Sequence, residues 1–367
     1  MASLFVAGLV ASPAAVRADG VQLYGQADVF MGVESNTSPA RGYKWLVDSG
    51  GMSTSYIGVS GSESFGNGTR AVFAIESFLR PDTGASGRFT GDAFFARDAY
   101  VGLSGPFGRF TLGRNTTPFF LTTLMHNPFG DSFTVSPMIT HTFRDVPTIP
   151  GVSNLGVKGD TGFSNSIRYV SPSFSGLKAD IVYSAGQERD SGVDRKAGRA
   201  IDGALSYGRG PVSMALAYRN INLSTAGDGH KQEAWQIGGS FDISVVKLQA
   251  QYQQSAERFN NSASDVDRKT YQLGASIEAG TGKLLFSYAL SNISDTRAAT
   301  SGKRESVSFG YLLPLSKRTD LYSAAYHDAL KNPTGNTQTV GTLACGTGSD
   351  LGPRSGRRPF GRRVNCR

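Results

Sequence analysis

The sequence predicts an all-β chain, a transmembrane antiparallel β-barrel, on three observations. Extended runs alternate apolar and polar residues with a period of two, the pattern of a strand whose two faces meet different surroundings. Connections between those runs alternate between short turns and long polar segments, the habit of barrels that cross a membrane. A mean hydropathy of -0.22, with 39% hydrophobic residues among 367, leaves no apolar stretch long enough to span a bilayer as a helix. A barrel escapes that test, because only alternate residues meet lipid.

From the amino end, Met1 to Ala18 reads as the later part of a secretory leader. An apolar run covers Leu4 to Val10, and Val16-Arg17-Ala18 before Asp19 suits signal cleavage, although the basic start is missing. A first strand or an exposed apolar terminus is the other reading of this segment. The first clear strand then places Val21, Leu23, Gly25, Ala27, Val29 and Met31 on one side and Gln22, Tyr24, Gln26 and Asp28 on the other.

The stretch Phe94 to Asp131 comes next in weight. A run from Ala93 to Leu103 meets the Ser104-Gly105-Pro106-Phe107-Gly108 turn and is answered by Arg109 to Arg114. After Asn115 nothing alternates until about Asn165. So long a structureless segment in a compact domain needs a job, and in a wide barrel that job is to fill the hole. Further on, Val212, Met214, Leu216 and Tyr218 oppose Ser213, Ala215, Ala217 and Arg219. Val246, Leu248, Ala250 and Tyr252 oppose Lys247, Gln249, Gln251 and Gln253. The same ladder recurs at Tyr271 to Glu278 and Lys283 to Leu290. The polar faces are rich in Gln, Ser and charge, which predicts a wetted surface rather than a packed core.

Short turns are expected at Phe65 to Gly68, Gly105 to Gly108, Ser173 to Gly176, Gly208 to Pro211, Asp242 to Ser244, Ala279 to Gly282 and Ser316 to Thr319. Longer polar segments lie between them, around Ser35 to Gly50, Gln187 to Gly198, Ser224 to Lys231, Phe259 to Asp267 and Asp295 to Arg304. A soluble sandwich would not alternate so regularly. About fifteen strand-like runs precede Ala344, where a single-chain bacterial barrel requires an even number.

Of the formal charge of +8, six Arg and one Asp from Cys345 onward supply five positives and Arg17 one more, leaving about +2 for Asp19 to Ala344. That balance gives no case for a nucleic-acid partner. Both cysteines, Cys345 and Cys366, lie in the tail, and a body without Cys suits export through an oxidising compartment. No structural disulfide, metal site or cofactor is expected. The four histidines, His126, His141, His230 and His327, lack metal-ligand spacing, and no nucleophile elbow, phosphate-cradling loop or CxxC occurs. The chain is not read as an enzyme, although a Ser-His constellation assembled from distant residues is the alternative.

Several segments carry a family resemblance. Arg97-Asp98-Ala99-Tyr100-Val101-Gly102-Leu103-Ser104-Gly105 and Phe107-Gly108-Arg109-Phe110-Thr111-Leu112-Gly113-Arg114, with Leu23-Tyr24-Gly25, Gly61-Ser62-Glu63, Asn165 to Phe174 and Leu315 to Tyr322, resemble the trimeric general porins of Gram-negative outer membranes, of β-proteobacterial type. As an ordered set they are specific, though each alone is weak. The resemblance implies sixteen strands, a long third external loop folded inward, a homotrimer in outer-membrane lipid, and passive passage of small hydrophilic solutes and ions.

The resemblance also implies which residues border the pore. At the constriction it points to Arg97, which matches a family position facing the throat, and to Asp131 at the tip of the inward loop, after Asn127-Pro128-Phe129-Gly130. To these, alternation adds Arg168, on the polar side of a run whose Ile167 and Tyr169 look outward, as a second wall cation, and Glu76, on the inward side with Arg70 and Ala74, as a carboxylate partner for Arg97. Alternation alone leaves open whether Arg97 or Asp98 points inward, and whether Arg97 pairs with Asp98. Arg219 and Lys247, on the polar sides of their runs, are further lining residues. Two departures bear on selectivity: Tyr56 stands where relatives commonly have Arg, and Phe163 where they often place another. A basic cluster of three is thereby reduced to one or two, which predicts a weakly anion-preferring or nearly unselective channel. The alternatives are a substrate-selective porin with a stacked site along Phe119, Phe120 or Phe129, a barrel acting mainly as adhesin or receptor, and an inactive product of a disrupted gene.

The end of the chain departs most. The family finishes on a strand that closes against the first and ends in an aromatic residue, whereas here Gln338 to Ala344 begins a strand and a Gly- and Arg-rich tail follows to Arg367. The expected division is a leader at 1–18, a barrel at 19–344 and an aberrant tail at 345–367. A change of reading frame near Ala344 or a basic extension would account for that tail.

Overall fold

The computed structural model describes residues 18–36, 42–144, 156–186, 197–224, 229–259, 265–296, 300–331 and 337–351. In chain order the elements are β1 (Ala18–Asn36), β2 (Lys44–Ser49), β3 (Tyr56–Gly66), β4 (Thr69–Arg80), β5 (Ala85–Ser86), β6 (Ala99–Gly105), β7 (Gly108–Thr116), α1 (Pro118–Met125), α2 (Pro137–Phe143), β8 (Gly162–Val170), β9 (Leu177–Ala185) and β10 (Arg199–Arg209). There follow β11 (Val212–Asn222), β12 (Lys231–Asp242), β13 (Val246–Arg258), β14 (Asp265–Ala279), β15 (Gly282–Asp295), β16 (Thr300–Pro314), β17 (Thr319–Lys331) and β18 (Thr337–Leu351).

All pairings are antiparallel. The ring closes because β1 pairs with β3 along Ala18–Gln26 and with β18 along Gly25–Asn36. β2, lying along Val29–Glu34 of β1, and β5, at the end of β4, are short ribbons within the first two long connections, so sixteen strands form the closed barrel. Closure leaves no sheet edge for lipid to meet, which is what a β structure needs in hydrocarbon.

Each strand separates its residues as the alternation predicts. Val21, Leu23 and Met31 on β1 are about 60% exposed, while Asp28 between them is 1% exposed. Met214, Leu216 and Tyr218 stand outward on β11, and Ala215, Ala217 and Arg219 are buried. The short turns fall where expected and share one end of the barrel. In the turn between β3 and β4, Asn67 (φ 51°) and Gly68 (φ 74°) adopt the left-handed backbone that two-residue hairpins require.

Three expectations about boundaries are corrected. The strand after the second long connection opens at Ala99 rather than Ala93, because the backbone before it closes a loop. The segment expected to be structureless holds α1 and α2. The last strand does not stop at Ala344 but runs to Leu351, with Cys345 opposite Met31 on β1 and Ser323 on β17. Small residues on both faces of its second half, Gly346 and Gly348 alternating with Cys345, Thr347 and Ser349, leave hydropathy nothing to contrast. The leader up to Arg17 and the tail past Leu351 lie outside the described residues.

Candidate functional site

The segment joining β7 to β8 is built by its caps. Thr117 and Ser136 lie just before Pro118 and Pro137, and their hydroxyls accept from Phe120 N and Ile139 N, starting α1 and α2. Both helices then spend their polar groups on the inward rows of one arc of the wall. Phe119 N donates to Asp202 Oδ1 at 2.8 Å, Gln251 Nε2 to Thr123 O at 3.0 Å and Thr142 Oγ1 to Gln253 Oε1 at 2.8 Å. Both nitrogens of His141 lie 2.7 Å from serine hydroxyls, those of Ser291 and Ser306, and Arg304 Nη1 donates to Thr140 O at 2.8 Å. The glutamine rows are therefore covered rather than wetted, which corrects the expectation for β12 to β14.

Glycines make room for this contact. A Cβ at Gly238 on β12 would stand 2.7 Å from His126 Nδ1, and one at Gly274 on β14 would stand 2.5 Å from Pro128 Cγ. Beside these notches Phe129 packs with Val135, Leu285, Ala324 and Tyr326, and Phe119 with Val157, Ala217 and Ala234. Phe119, Phe120 and Phe129 are thus core residues of the loop-to-wall contact, which removes the basis for a stacked solute site along them.

Across from that contact, on the arc formed by β1, β3, β4 and the turn into β6, stands a second group. Arg97 Nη1 donates to Glu76 Oε2, and Tyr24 OH donates to Glu76 Oε1. The Arg97 guanidinium lies 4.0 Å from the centre of the Tyr56 ring, a cation–π contact, and Tyr24 meets Tyr56 edge-on. Arg97 keeps 32% of its side chain exposed while Glu76 keeps 6%. The open alternative is decided by Asp98, whose Oδ1 accepts from Thr116 N at 2.6 Å and Thr116 Oγ1 at 2.9 Å, so Arg97 is held by Glu76 instead. Asp131 accepts from Ser53 Oγ at 2.7 Å, tying the loop tip to the first long connection. Asp28 secures that connection from below by accepting from Gly51 N at 2.9 Å, Met52 N and Ser53 N at 3.1 Å, and Tyr322 OH at 2.6 Å.

The remaining sequence-predicted residues scatter. Arg168 lies lower on β8 in a bidentate pair with Asp180, at 2.9 and 2.6 Å. Lys247 sits near the short-turn end of β13, opposite Asp242 of β12. Two lining expectations are corrected. Arg219 is fully buried, with Nε donating to Asp202 Oδ2 at 2.7 Å and Nη1 to the carbonyls of Lys158 and Asp160 at 3.1 Å, so it clamps the loop. Phe163 is closed in with Val182, Ala200 and Ile221, its ring 5.0 Å from the Arg219 guanidinium. Both face inward, Phe163 because a bulge at Ser164 and Asn165 resets the alternation of β8, but the loop seals the wall above them.

Sequence reasoning missed a charged knot where two loops meet. Arg88 holds Asp160 at 2.6 and 2.9 Å and Asp92 at 2.9 Å, and Arg114 Nη2 reaches Asp160 at 2.7 Å. Burial pushes the Asp160 carboxyl up, but the hydrogen bonds and charge of Arg88, with help from Thr161 N and Arg114, outweigh it and hold its pKa at about 2, against an ordinary 3.8. Nothing in the local sequence around 88 announces this partner. Tyr24 was within reach, since it shares the polar parity of Gln22 and Gln26.

A closed barrel with an apolar outer surface, charged inward rows and a long segment set against one arc defines a membrane-spanning β-barrel channel. Comparison with known sequences gives the family: a family model described as Gram-negative porin matches residues 2–333. The chain belongs to the Gram-negative porins, proteins of the outer membrane. It is 29% identical over 318 residues to outer membrane porin protein 32 of Delftia acidovorans, covering 86% of each chain. It is 28% identical to an outer membrane porin protein of Bordetella pertussis, covering 75% of this chain and 76% of the other. Among solved structures it superposes on an anion-selective porin from Comamonas acidovorans with a TM-score of 0.73 and 25% identity, covering 90% of this chain and 99% of that one. OmpT of Vibrio cholerae in a trimer form, at 12% identity and a TM-score of 0.62, shares the fold.

Proposed function

We propose that the chain is a weakly anion-preferring general diffusion channel, with its narrowest passage between the 117–161 segment and the wall carrying Tyr24, Tyr56, Glu76 and Arg97. The carrying observation is the Arg97 group. Its guanidinium is partly open, but Glu76 neutralises most of its charge and Tyr56 stands where a further cation would strengthen the field. Like charges focus a field in a narrow lumen with low-dielectric walls, and a nearly balanced cluster focuses it weakly. Asp131 at the loop tip adds a negative group on the opposite side of the passage. Passage is passive and involves no catalysis. In keeping with the trimer form in which a structural relative was solved, the working unit is a homotrimer in outer-membrane lipid, passing small hydrophilic solutes and ions.

The test is the zero-current potential of the refolded chain in a planar bilayer under a tenfold KCl gradient. A small potential of the sign for chloride preference is expected, with Arg97→Gln moving it towards potassium. A strong cation preference in the unaltered chain overturns the proposal. Full binding of a surface partner with no conductance would favour the receptor alternative instead.

A further inference from the structure

Below the throat, towards the short-turn end that faces the periplasm in outer-membrane barrels, the wall has a recess of about 320 Å³ lined in part by Tyr100, Thr111, Arg109, Arg168 and Lys178. The register explains why the cations converge. Arg109 on β7 stands opposite Val170 on β8, and Thr111 opposite Arg168, so both Arg side chains share the inward face. Val170 in turn stands opposite Asp180 on β9, two residues from Lys178 and of the same parity. Phe110 and Leu112 on β7 and Ile167 on β8 are correspondingly exposed on the outer surface.

The charges do not balance. Arg168 uses Nε and Nη2 on Asp180, and neither its Nη1 nor the side chains of Arg109 and Lys178 has a protein hydrogen-bond partner among the described residues. Three cations therefore line the recess, with Asp180 paired to one of them and Asp98 near enough to act on Arg168, whereas at the throat the single cation Arg97 faces Glu76, Asp98 and Asp131. We infer that this recess is a second, periplasmic-side subsite that transiently holds a small oxyanion, a carboxylate or inorganic phosphate, as it leaves the channel. Asp180 fixes the Arg168 guanidinium plane, Arg109 and Lys178 supply unspent charge, and the Tyr100 hydroxyl offers a further donor to the anion, while the Thr111 hydroxyl is spent on Asn115 Oδ1 at 2.6 Å. Because Arg109 and Lys178 are solvent-exposed, the hold is loose, and a conducting site must let its ion go.

This inference rests on the reading of the chain as a channel, and one experiment separates the two. Single-channel conductance of the full refolded chain is measured in potassium phosphate and potassium acetate over a wide concentration range, beside Arg109→Gln/Lys178→Gln and Arg109→Lys. The unaltered chain should saturate at low anion concentration. The double variant should lose that saturation and conduct about threefold less at the low end, the size expected of exposed charges, while Arg109→Lys keeps most of it and the KCl reversal potential set at the throat barely moves. Linear conductance in the unaltered chain, or identical curves for it and the double variant, overturns the subsite and leaves the channel standing. Absence of any conductance overturns both.

Discussion

At the scale of single residues, the ion pairs of this barrel fall into two kinds, and burial separates them. Arg219 and Asp202 are both shut away from water and also hold Thr117, Phe119 N and two carbonyls of the 117–161 segment. Removing one partner from such a pair strands a buried charge, at about 3–5 kcal/mol, so Asp202→Ala should lower the urea midpoint of the detergent-folded protein far more than Glu233→Ala, whose lysine partner is exposed. Asp160 belongs to the knot with Arg88 and gives a pH signature. Its folded pKa of about 2 lies below the ordinary 3.8, so its stabilisation is complete above about pH 4 and fades as pH falls towards 2. Stability followed between pH 6 and 2 should therefore drop more steeply in the unaltered chain than in Asp160→Asn.

At the scale of elements, the strands were legible because lipid and the inward side write opposite residue types at alternate positions. The turns at Asn67-Gly68 and its counterparts were legible through residues that tolerate left-handed backbone. The helices were not, since α1 and α2 run through Phe, Leu, Met and Thr with no polar stripe: buried on nearly every side, they show no amphipathic period. The second half of β18 stayed hidden for a different reason, small residues on both faces. Arg97 could be placed by resemblance, but its choice of Glu76 over Asp98 depends on where the loop turns, which strand parity does not encode. Two outcomes are expected here. Gly274→Val should push Pro128 off β14 at about 1–3 kcal/mol and widen the spread of single-channel conductances. With Cys366→Ser as background, Cys345 on β18 should resist a membrane-impermeant maleimide in the bilayer and react freely once the chain is unfolded, because its side chain lies on the same face as Leu343.

At the scale of the whole molecule, the barrel divides its duties by arc. From β10 to β17 the inward rows receive the helices, the glycine notches and the buried Arg219, Arg304 and His141. From β3 to β9, with the first part of β1, they carry Tyr24, Tyr56, Glu76, Tyr100, Arg109 and Arg168. Replacing residues 118–160 with a short flexible linker should therefore leave a closed barrel, detectable by its resistance to unfolding in detergent at room temperature, with conductance above that of the intact chain and less discrimination between potassium and chloride.

The glycine notches have a consequence for how such a chain changes over generations. Because the helix contacts and the glycine notches sit on one arc and Tyr56, Glu76, Arg97 and Lys178 sit on the other, substitutions among the latter need not disturb the seat of the two helices. A lineage could exchange Tyr56 for arginine or Lys178 for glutamate, adapting to a new nutrient supply, while Gly238 and Gly274 stay as they are.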